Sequence, residues 1–247
     1  MRSVTTGSKC RRRRIASGPP FTLTAPSDVI DLARIPQLKG ISVTNEAVTI
    51  KAATTYHDIM QSMDIAKAIP ALVHLTSVLG DPQVRHRGTL GGSLANNDPA
   101  ADYPAAVVAL NATITTNKRS IPADDFFQGL FSTALEDGEI ITAVSFPVPE
   151  KAAYAKFRHP ASRFALTGVF VTKLADGEIR VAATGAAQDG VMRVPAIEEI
   201  LKGNWSVAAL ASITISQDGL MSDFHGSSVY RANLIKVMAQ RAVAAAG

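Results

Sequence analysis

The chain has 247 residues, of which 47% are hydrophobic and 19% charged, as in globular proteins of one large domain or two modest ones. No apolar run approaches the roughly 18 residues of a membrane-spanning helix. The net charge is +4, but six of the 25 Lys and Arg residues lie in the first twenty residues. The rest of the chain has 19 basic and 21 acidic residues, so we do not expect it to bind nucleic acid or a membrane surface.

Residues 1–23 include Arg11–Arg14 and no acidic residue. They show no hydrophobic periodicity, which predicts a basic tail that is disordered or poorly packed. An Arg-rich start with serines also resembles an organellar transit peptide, but the four arginines are contiguous rather than spaced along a helical face. Without interleaved aromatic residues, they favour only nonspecific attraction to nucleic acid.

Residues 24–149 are predicted to form a first domain of mixed strands and helices. Apolar residues at helical spacing or a proline at a helix start predict three helices, in TYHDIMQSM, IPALVHLTSVLG and PAADYPAAVVAL. Strand-like residues predict a hairpin around Asn45-Glu46 and three further strands, in DVIDL, ATITTN and GEIITAVSFP. Between the last two strands, DDFFQGLF is predicted as a short helix or turn.

Residues 150–247 are predicted to form a second domain, an antiparallel sheet backed by helices. YAKFRH is a predicted strand, and the turn at Ala175–Gly177 joins two more into a hairpin. Three segments are predicted helices, namely VPAIEEILKG, SVAALASI and the stretch from Ser227 to Ala246. The Pro-Val-Pro run near residue 147 marks the boundary, and the fold class is α+β.

The most unusual stretch is GTLGGSLANNDPAADYP, from Gly88 to Pro104, called the glycine segment below. We expect it neither to pack a core nor to form a helix. Its glycines could present consecutive N–H groups to an anion, although neither a P-loop nor a GxGxxG motif fits, and a tight surface loop is the alternative. The polar side chains that follow suit a ligand with phosphates and hydroxyls.

The run GDPQVRHRGTLGGSLANNDPAADYPA, from Gly80 to Ala105, resembles the second FAD-binding segment of the flavoprotein subunits of molybdenum hydroxylases. These subunits are the medium chains of the carbon monoxide dehydrogenase and xanthine dehydrogenase family. Further stretches resemble landmarks of that family in the same order: PSDVIDLARIPQLKGI, GEIITAVSFPVP, YAKFRHPASRFALTGV and SDFHGSSVYRANLI. The resemblance implies an N-terminally truncated PCMH-type FAD-binding domain, followed by a C-terminal domain with an antiparallel sheet and helices.

By resemblance, nine residues are expected to contact FAD. A main-chain cradle is formed by five consecutive residues, Thr89, Leu90, Gly91, Gly92 and Ser93. Asn96 and Asp102 meet polar groups of the cofactor. Ile141 packs near the flavin or adenine, and Lys156 is a cationic contact. For Lys156 the alternative is an exposed strand lysine. His159 and Arg163 are expected beside the site or in plain surface roles, and His225 in a structural one.

The family implies an electron relay. A large subunit with molybdenum cofactor hydroxylates the substrate, a small subunit with two [2Fe–2S] clusters carries the electrons, and FAD on this chain passes them to an acceptor. The expected assembly is a dimer of heterotrimers. The single cysteine, Cys10, cannot ligate such clusters, which typically take about four cysteines. It also forms no disulfide framework, which fits a cytoplasmic protein, and the histidines have no zinc-ligand spacing.

One family feature is not found. Members carry a first FAD segment of the type Ala-Gly-Gly-x-Ser/Thr-Leu shortly before the strand that matches DVIDL, where this chain reads SKCRRRRIASGPPFTLTAP. Gly18-Pro19-Pro20 is no substitute, because proline lacks an N–H. Two hypotheses follow: a working FAD-binding electron-transfer subunit, or a truncated relative that keeps the scaffold and the subunit interface but binds FAD weakly or not at all.

Overall fold

The structure, a computed structural model, describes residues 30–247. The predicted basic tail and the start of DVIDL lie outside the described residues. The strands form two antiparallel sheets, one before residue 148 and one after residue 150. Within the described part of the chain, no helix is both long and apolar enough to cross a membrane.

The first sheet has five strands. They are β1 (Ile41–Val43), β2 (Ala47–Lys51), β3 (Thr113–Thr116), β4 (Ser120–Pro122) and β5 (Ile141–Pro147). Their spatial order is β1-β2-β5-β3-β4, with every pair antiparallel. The predicted hairpin is confirmed as β1 and β2, with Ser42 opposite Thr49. The strands predicted in ATITTN and GEIITAVSFP are confirmed as β3 and β5, whereas β4 was not predicted.

Seven helices accompany this sheet among the described residues. They are α1 (Tyr56–Gln61), α2 (Met63–Ala68), α3 (Pro70–Ser77), α4 (Pro82–Arg87), α5 (Leu90–Asn96), α6 (Tyr103–Ala109) and α7 (Ala123–Phe126). Local signals begin several of them: Thr55 and Asp58 form a capping box at α1, which satisfies two otherwise unpaired donors. All seven residues of α6 are buried, so this helix lies in the middle of the molecule.

The second sheet has four strands in sequence order. They are β6 (Lys151–Arg158), β7 (Ala165–Lys173), β8 (Ile179–Ala187) and β9 (Gly190–Arg193). Helices α8 (Pro195–Gly203) and α9 (Ser228–Ala246) follow, as predicted, and α9 packs on β6 and β7. The other face of the sheet contacts α6. Because both faces are covered, β8 is buried along its whole length.

Two predicted elements are wrong. DVIDL is not a strand over its described part, since a 3-10 turn spans Leu32–Arg34 and the Asp31 carboxylate accepts from the Ala33 N–H at 2.9 Å. SVAALASI holds only the 3-10 turn Ala208–Leu210 instead of a helix. In the first case a local side-chain acceptor competes with strand pairing, as it commonly does in turns.

The two sheets share one buried boundary. Tyr154, Phe170 and Ala182 project from the second sheet into the core of the first part of the chain. Arg180, also on the second sheet, is buried and donates to the Val108 carbonyl of α6 at 2.9 Å. The division into domains at residues 149 and 150 stays a prediction, because side chains from beyond it complete the first core.

Candidate functional site

The glycine segment contains a helix. Thr89 caps the start of α5, its Oγ1 accepting from the Gly92 N–H at 3.2 Å. Asn97 ends the helix with φ +40°, in the left-handed region that asparagine tolerates at helix ends. Leu90 and Leu94 are fully buried between these caps. The expectation that this stretch would neither form a helix nor pack a core is therefore wrong.

Two of its glycines are explained by close packing. A Cβ on Gly91 would lie 2.6 Å from the Ala52 Cβ and 2.9 Å from the Ala52 carbonyl oxygen, and a Cβ on Gly88 would lie 2.3 Å from Cε2 of Tyr56. Such distances are too short for real contacts. Glycine is therefore needed at 91 for α5 to approach the end of β2, and at 88 for the chain to pass the Tyr56 ring of α1.

Four of the five main-chain N–H groups expected to cradle FAD, those of Leu90, Gly91, Gly92 and Ser93, already have acceptors within the chain. These four do not form a free nest of donors of the kind that the glycines suggested, and the contact of the cradle to FAD stays a prediction. The acceptors are the Thr54 carbonyl for Leu90 (3.3 Å), the Ala52 carbonyl for Gly91 (2.9 Å), Thr89 Oγ1 for Gly92 (3.2 Å) and the Thr89 carbonyl for Ser93 (3.0 Å).

The outer face of α5, defined here by Thr89, Gly92, Ser93 and Asn96, is the accessible part of this helix. These residues follow the i, i+3, i+4, i+7 spacing of one helical face, and all four are half-buried. The Ser93 hydroxyl and the Asn96 amide make no hydrogen bond to any residue between 30 and 247. Together they offer donors and acceptors to a polar ligand, and Gly92 adds no side chain of its own to this face.

Asn97 adds an unpaired acceptor beside this face. Its Nδ2 donates to the carbonyls of Gly129 and Ser132 at 2.7 and 2.8 Å, which ties a second loop to the end of α5. Its Oδ1 is buried and has no hydrogen-bond partner among the residues that the structure describes. A buried acceptor without a donor costs free energy, and a donor from a bound group would remove that cost.

Asp102 and Lys156 are brought together, in a buried cluster with Tyr154. The Lys156 Nζ lies 2.9 Å from one Asp102 carboxylate oxygen and 3.0 Å from the other, and the Tyr154 hydroxyl donates to Asp102 at 2.6 Å. The two charged side chains are 4% and 2% exposed, so the alternative of an exposed strand lysine is wrong. Their contact to FAD stays a prediction.

Burial sets the protonation chemistry of this cluster. It raises the pKa of the Asp102 carboxyl, while the Lys156 charge and the Tyr154 hydrogen bond oppose that rise. It also raises the pKa of Tyr154 well above its ordinary value, and the Asp102 charge adds to the effect. Tyr154 therefore stays a neutral phenol and is the donor to the carboxylate.

The remaining predicted residues lie elsewhere. Ile141 is 4% exposed, within the core of the first part of the chain. His159 Nε2 lies 2.9 Å from His225 Nδ1, and the Arg163 N–H donates to the His159 carbonyl. His159 Nδ1 accepts from main-chain N–H groups of its own loop, and the His225 N–H donates to the Asp223 carboxylate. None of these hydrogen bonds reaches the glycine segment.

Sequence reasoning missed two residues of the site. Tyr154 holds Asp102 across 52 positions, and Thr184 Oγ1 lies 2.7 Å from the Ala101 carbonyl across 83 positions. Neither residue lies in a local sequence motif. Their one signal in the sequence is a polar residue type at an inward-facing position of a buried strand.

No metal site competes with this interpretation in the described part of the chain, where no three His, Cys, Asp or Glu side chains converge. Two shallow concavities lie elsewhere on its surface. Lys173, Leu201 and Trp205 are among the residues that line one, and Asp124 and Arg193 among those that line the other. Neither includes a residue of the glycine segment.

Comparison with known proteins decides the family. A family model described as the FAD binding domain in molybdopterin dehydrogenase matches residues 20–149, more than half of the chain. The chain belongs to this family. The outer face of α5 fits the FAD that the family binds, because it carries a half-buried glycine and a hydroxyl and an amide without hydrogen-bond partners among residues 30–247.

Relatives and solved structures agree with this FAD-binding family. The glyceraldehyde dehydrogenase medium chain of Sulfolobus acidocaldarius is 36% identical over 88% of this chain and 82% of its own. The carbon monoxide dehydrogenase medium chain of Hydrogenophaga pseudoflava is 31% identical over 90% and 82%. In structure, the chain is similar to carbon monoxide dehydrogenase from Oligotropha carboxidovorans (TM-score 0.80, 30% identity, 91% and 84% covered). Quinoline 2-oxidoreductase from Pseudomonas putida is also similar (TM-score 0.78, 27% identity, 91% and 83% covered).

Proposed function

We propose that this chain is the FAD-binding subunit of a molybdenum-containing hydroxylase or dehydrogenase, and that it passes electrons from partner [2Fe–2S] clusters through FAD to an acceptor. The observation that carries the proposal is the outer face of α5, which presents a hydroxyl and an amide that have no partner in the described part of a chain of this family. When bound, FAD supplies the redox chemistry, and the protein binds and orients it.

The side chains of the outer face would hold the cofactor. The Ser93 hydroxyl and the Asn96 amide would bond to its phosphate or hydroxyl oxygens, and Gly92 would let it approach the helix closely. Thr89 fixes the start of the helix and is placed on the same face. Leu90, Gly91 and Ile141 are buried and would support the outer face of α5 by packing in the core.

The proposed partners are a large subunit with molybdenum cofactor and a small subunit with two [2Fe–2S] clusters, assembled as a dimer of heterotrimers in the cytoplasm. Two observations support such partners. The relatives are named as medium chains or medium subunits, and one cysteine in 247 residues leaves the cluster ligands to another chain.

Flavin binding is tested first, with the full chain alone and co-expressed with its partner subunits. Visible flavin absorption should accompany the purified complex. The double variant Ser93→Ala/Asn96→Ala should bind FAD about tenfold more weakly, since each lost hydrogen bond is worth about 0.5–1.5 kcal/mol. The control is Asn233→Ala, an exposed helical asparagine on α9, which should bind FAD as the parent does.

Two results would contradict the proposal. A complex without flavin absorption would favour the second hypothesis, a relative that keeps only the scaffold and the subunit interface. A double variant with parental FAD affinity would move the binding site away from α5. The relay itself is tested in the flavin-loaded complex, where substrate oxidation should bleach the flavin absorption and the acceptor should restore it.

A further inference from the structure

We propose that Tyr154 and Thr184, both on the second sheet, are positioning residues for the cofactor site: they hold the polar half of the glycine segment in its binding shape before FAD arrives. The inference rests on the proposed function and deepens it, because it assigns a role in FAD affinity to residues that contact the turn after α5 and not its outer face.

Three groups of the second sheet hold the turn after α5. The Gly185 N–H donates to the Pro99 carbonyl at 2.9 Å. The Thr184 hydroxyl lies 2.7 Å from the Ala101 carbonyl and 3.1 Å from that of Pro99. The Tyr154 hydroxyl donates to Asp102 at 2.6 Å. The turn is thus fixed from residues that lie more than fifty positions later in the sequence.

The second sheet is shaped for these contacts. The pairing of β8 with β9 shifts register between Ala183 and Ala187, and within this irregular stretch Gly185 adopts φ +78°. Bulges of this kind re-aim neighbouring groups. Gly185 is held in turn by the buried Arg231, whose Nη1 donates to its carbonyl at 2.6 Å. The Gly185 N–H, which donates to the turn, therefore belongs to a residue that a buried guanidinium group holds in place.

The sheet also makes room for Tyr154. A Cβ on Gly168, the residue in β7 beside it, would lie 2.1 Å from the Tyr154 hydroxyl oxygen. A larger side chain there would displace the hydroxyl from Asp102. The position of the phenol is thus set by packing as well as by its hydrogen bond.

Holding the turn fixes the outer face of α5. The helix is anchored at its start by the Ala52 and Thr54 carbonyls, and its other end continues through Asn97 into the turn held by Tyr154 and Thr184. With both ends fixed, Ser93 and Asn96 are presented in one geometry. Preorganisation of this kind raises affinity because less ordering remains to be done on binding.

The test measures FAD affinity of the flavin-depleted complex by titration, together with thermal unfolding. Thr184→Val and Tyr154→Phe each remove one hydroxyl that holds the turn, and each should weaken FAD binding about fivefold to tenfold. Thr184→Ser keeps the hydroxyl and should restore parental affinity. This rescue separates positioning from a general loss of packing.

The matched control removes a buried hydroxyl that does not hold the turn. Thr172→Val deletes an Oγ1 that is buried and has no hydrogen-bond partner among residues 30–247. This variant should change FAD affinity less than twofold. If Thr184→Val does not fold, Tyr154→Phe carries the test, because it removes a single oxygen atom.

Three outcomes would overturn the inference. Parental FAD affinity in both positioning variants would show that the turn does not shape the site. Equal weakening in the positioning and control variants would reduce the effect to general stability. Absence of FAD binding by the parent complex would overturn the proposed function and this inference together, whereas the first two outcomes leave the proposed function standing.

Discussion

Replacing Gly91 by alanine separates packing from helix propensity, because the two predict opposite signs. In an unconstrained helix the change would stabilise the protein by about 1 kcal/mol. Here the new Cβ would lie 2.6 Å from the Ala52 Cβ and 2.9 Å from its carbonyl oxygen. To reach ordinary contact distance, α5 must move away from β2 by roughly 1 Å, given that carbon contacts are optimal at about 3.5–4.0 Å.

This movement has a calculable cost. Overpacking costs about 1–3 kcal/mol, and a retreat of this size stretches the hydrogen bond from the Gly91 N–H to the Ala52 carbonyl, now 2.9 Å, beyond bonding range. The lost bond costs about 1 kcal/mol more. After the propensity gain is subtracted, Gly91→Ala should destabilise the protein by about 2 kcal/mol, a fall in Tm of about 4–8 °C for a chain of this size.

Thermal and urea unfolding, followed by far-UV circular dichroism, measure the effect on the full chain. Ser93→Ala is the control on the outer face of the same helix, where we expect a change within about 0.5 kcal/mol. A Gly91→Ala variant as stable as the parent, or more stable, would refute the close approach of α5 to Ala52.

Two further predictions concern buried charges. Glu139 accepts from Arg119 and Thr116, and the Arg119 hydrogen bond lowers the pKa of its carboxyl from 4.5 to about 2. A lowered folded-state pKa adds stability above pH 4.5 that is lost as the pH falls from 4.5 towards 2. Arg119 is 44% exposed, so solvent screens the pair, and we expect it to contribute about 1–2 kcal/mol to the free energy of unfolding. Glu139→Gln should therefore flatten the acid side of a plot of the free energy of unfolding, measured with urea, against pH. An unchanged acid side would contradict the assignment. Arg231 is 2% exposed, donates to two buried carbonyls and pairs with Asp223, so Arg231→Ala should cost about 3–5 kcal/mol by leaving those acceptors unpaired. Arg231→Lys should recover only part of that loss, since lysine lacks the planar fork, and full recovery would argue against the two-carbonyl arrangement.

Much of the fold could be predicted from the sequence, because hydrophobic spacing and turn signals depend on residues that are close together in the chain. Apolar spacing predicted α1, α3, α8 and α9, and turn residues predicted both hairpins. A Thr cap can also outweigh glycine content: α5 forms between Thr89 and Asn97 although the composition of the stretch argued against a helix. DVIDL failed for the converse reason, because Asp31 bonds to the nearby main chain instead of allowing strand pairing.

The sequence by itself determined the family and the stretch proposed to carry the site, because the glycine segment is long and distinctive. Only the tertiary structure decided which residues of that stretch face outward. Gly91 packs against Ala52, and Asp102 is bound by Tyr154 and Lys156. Ser93 and Asn96 stay accessible. These assignments depend on contacts between residues far apart in the chain, and such contacts exist only once the two sheets have packed around α6.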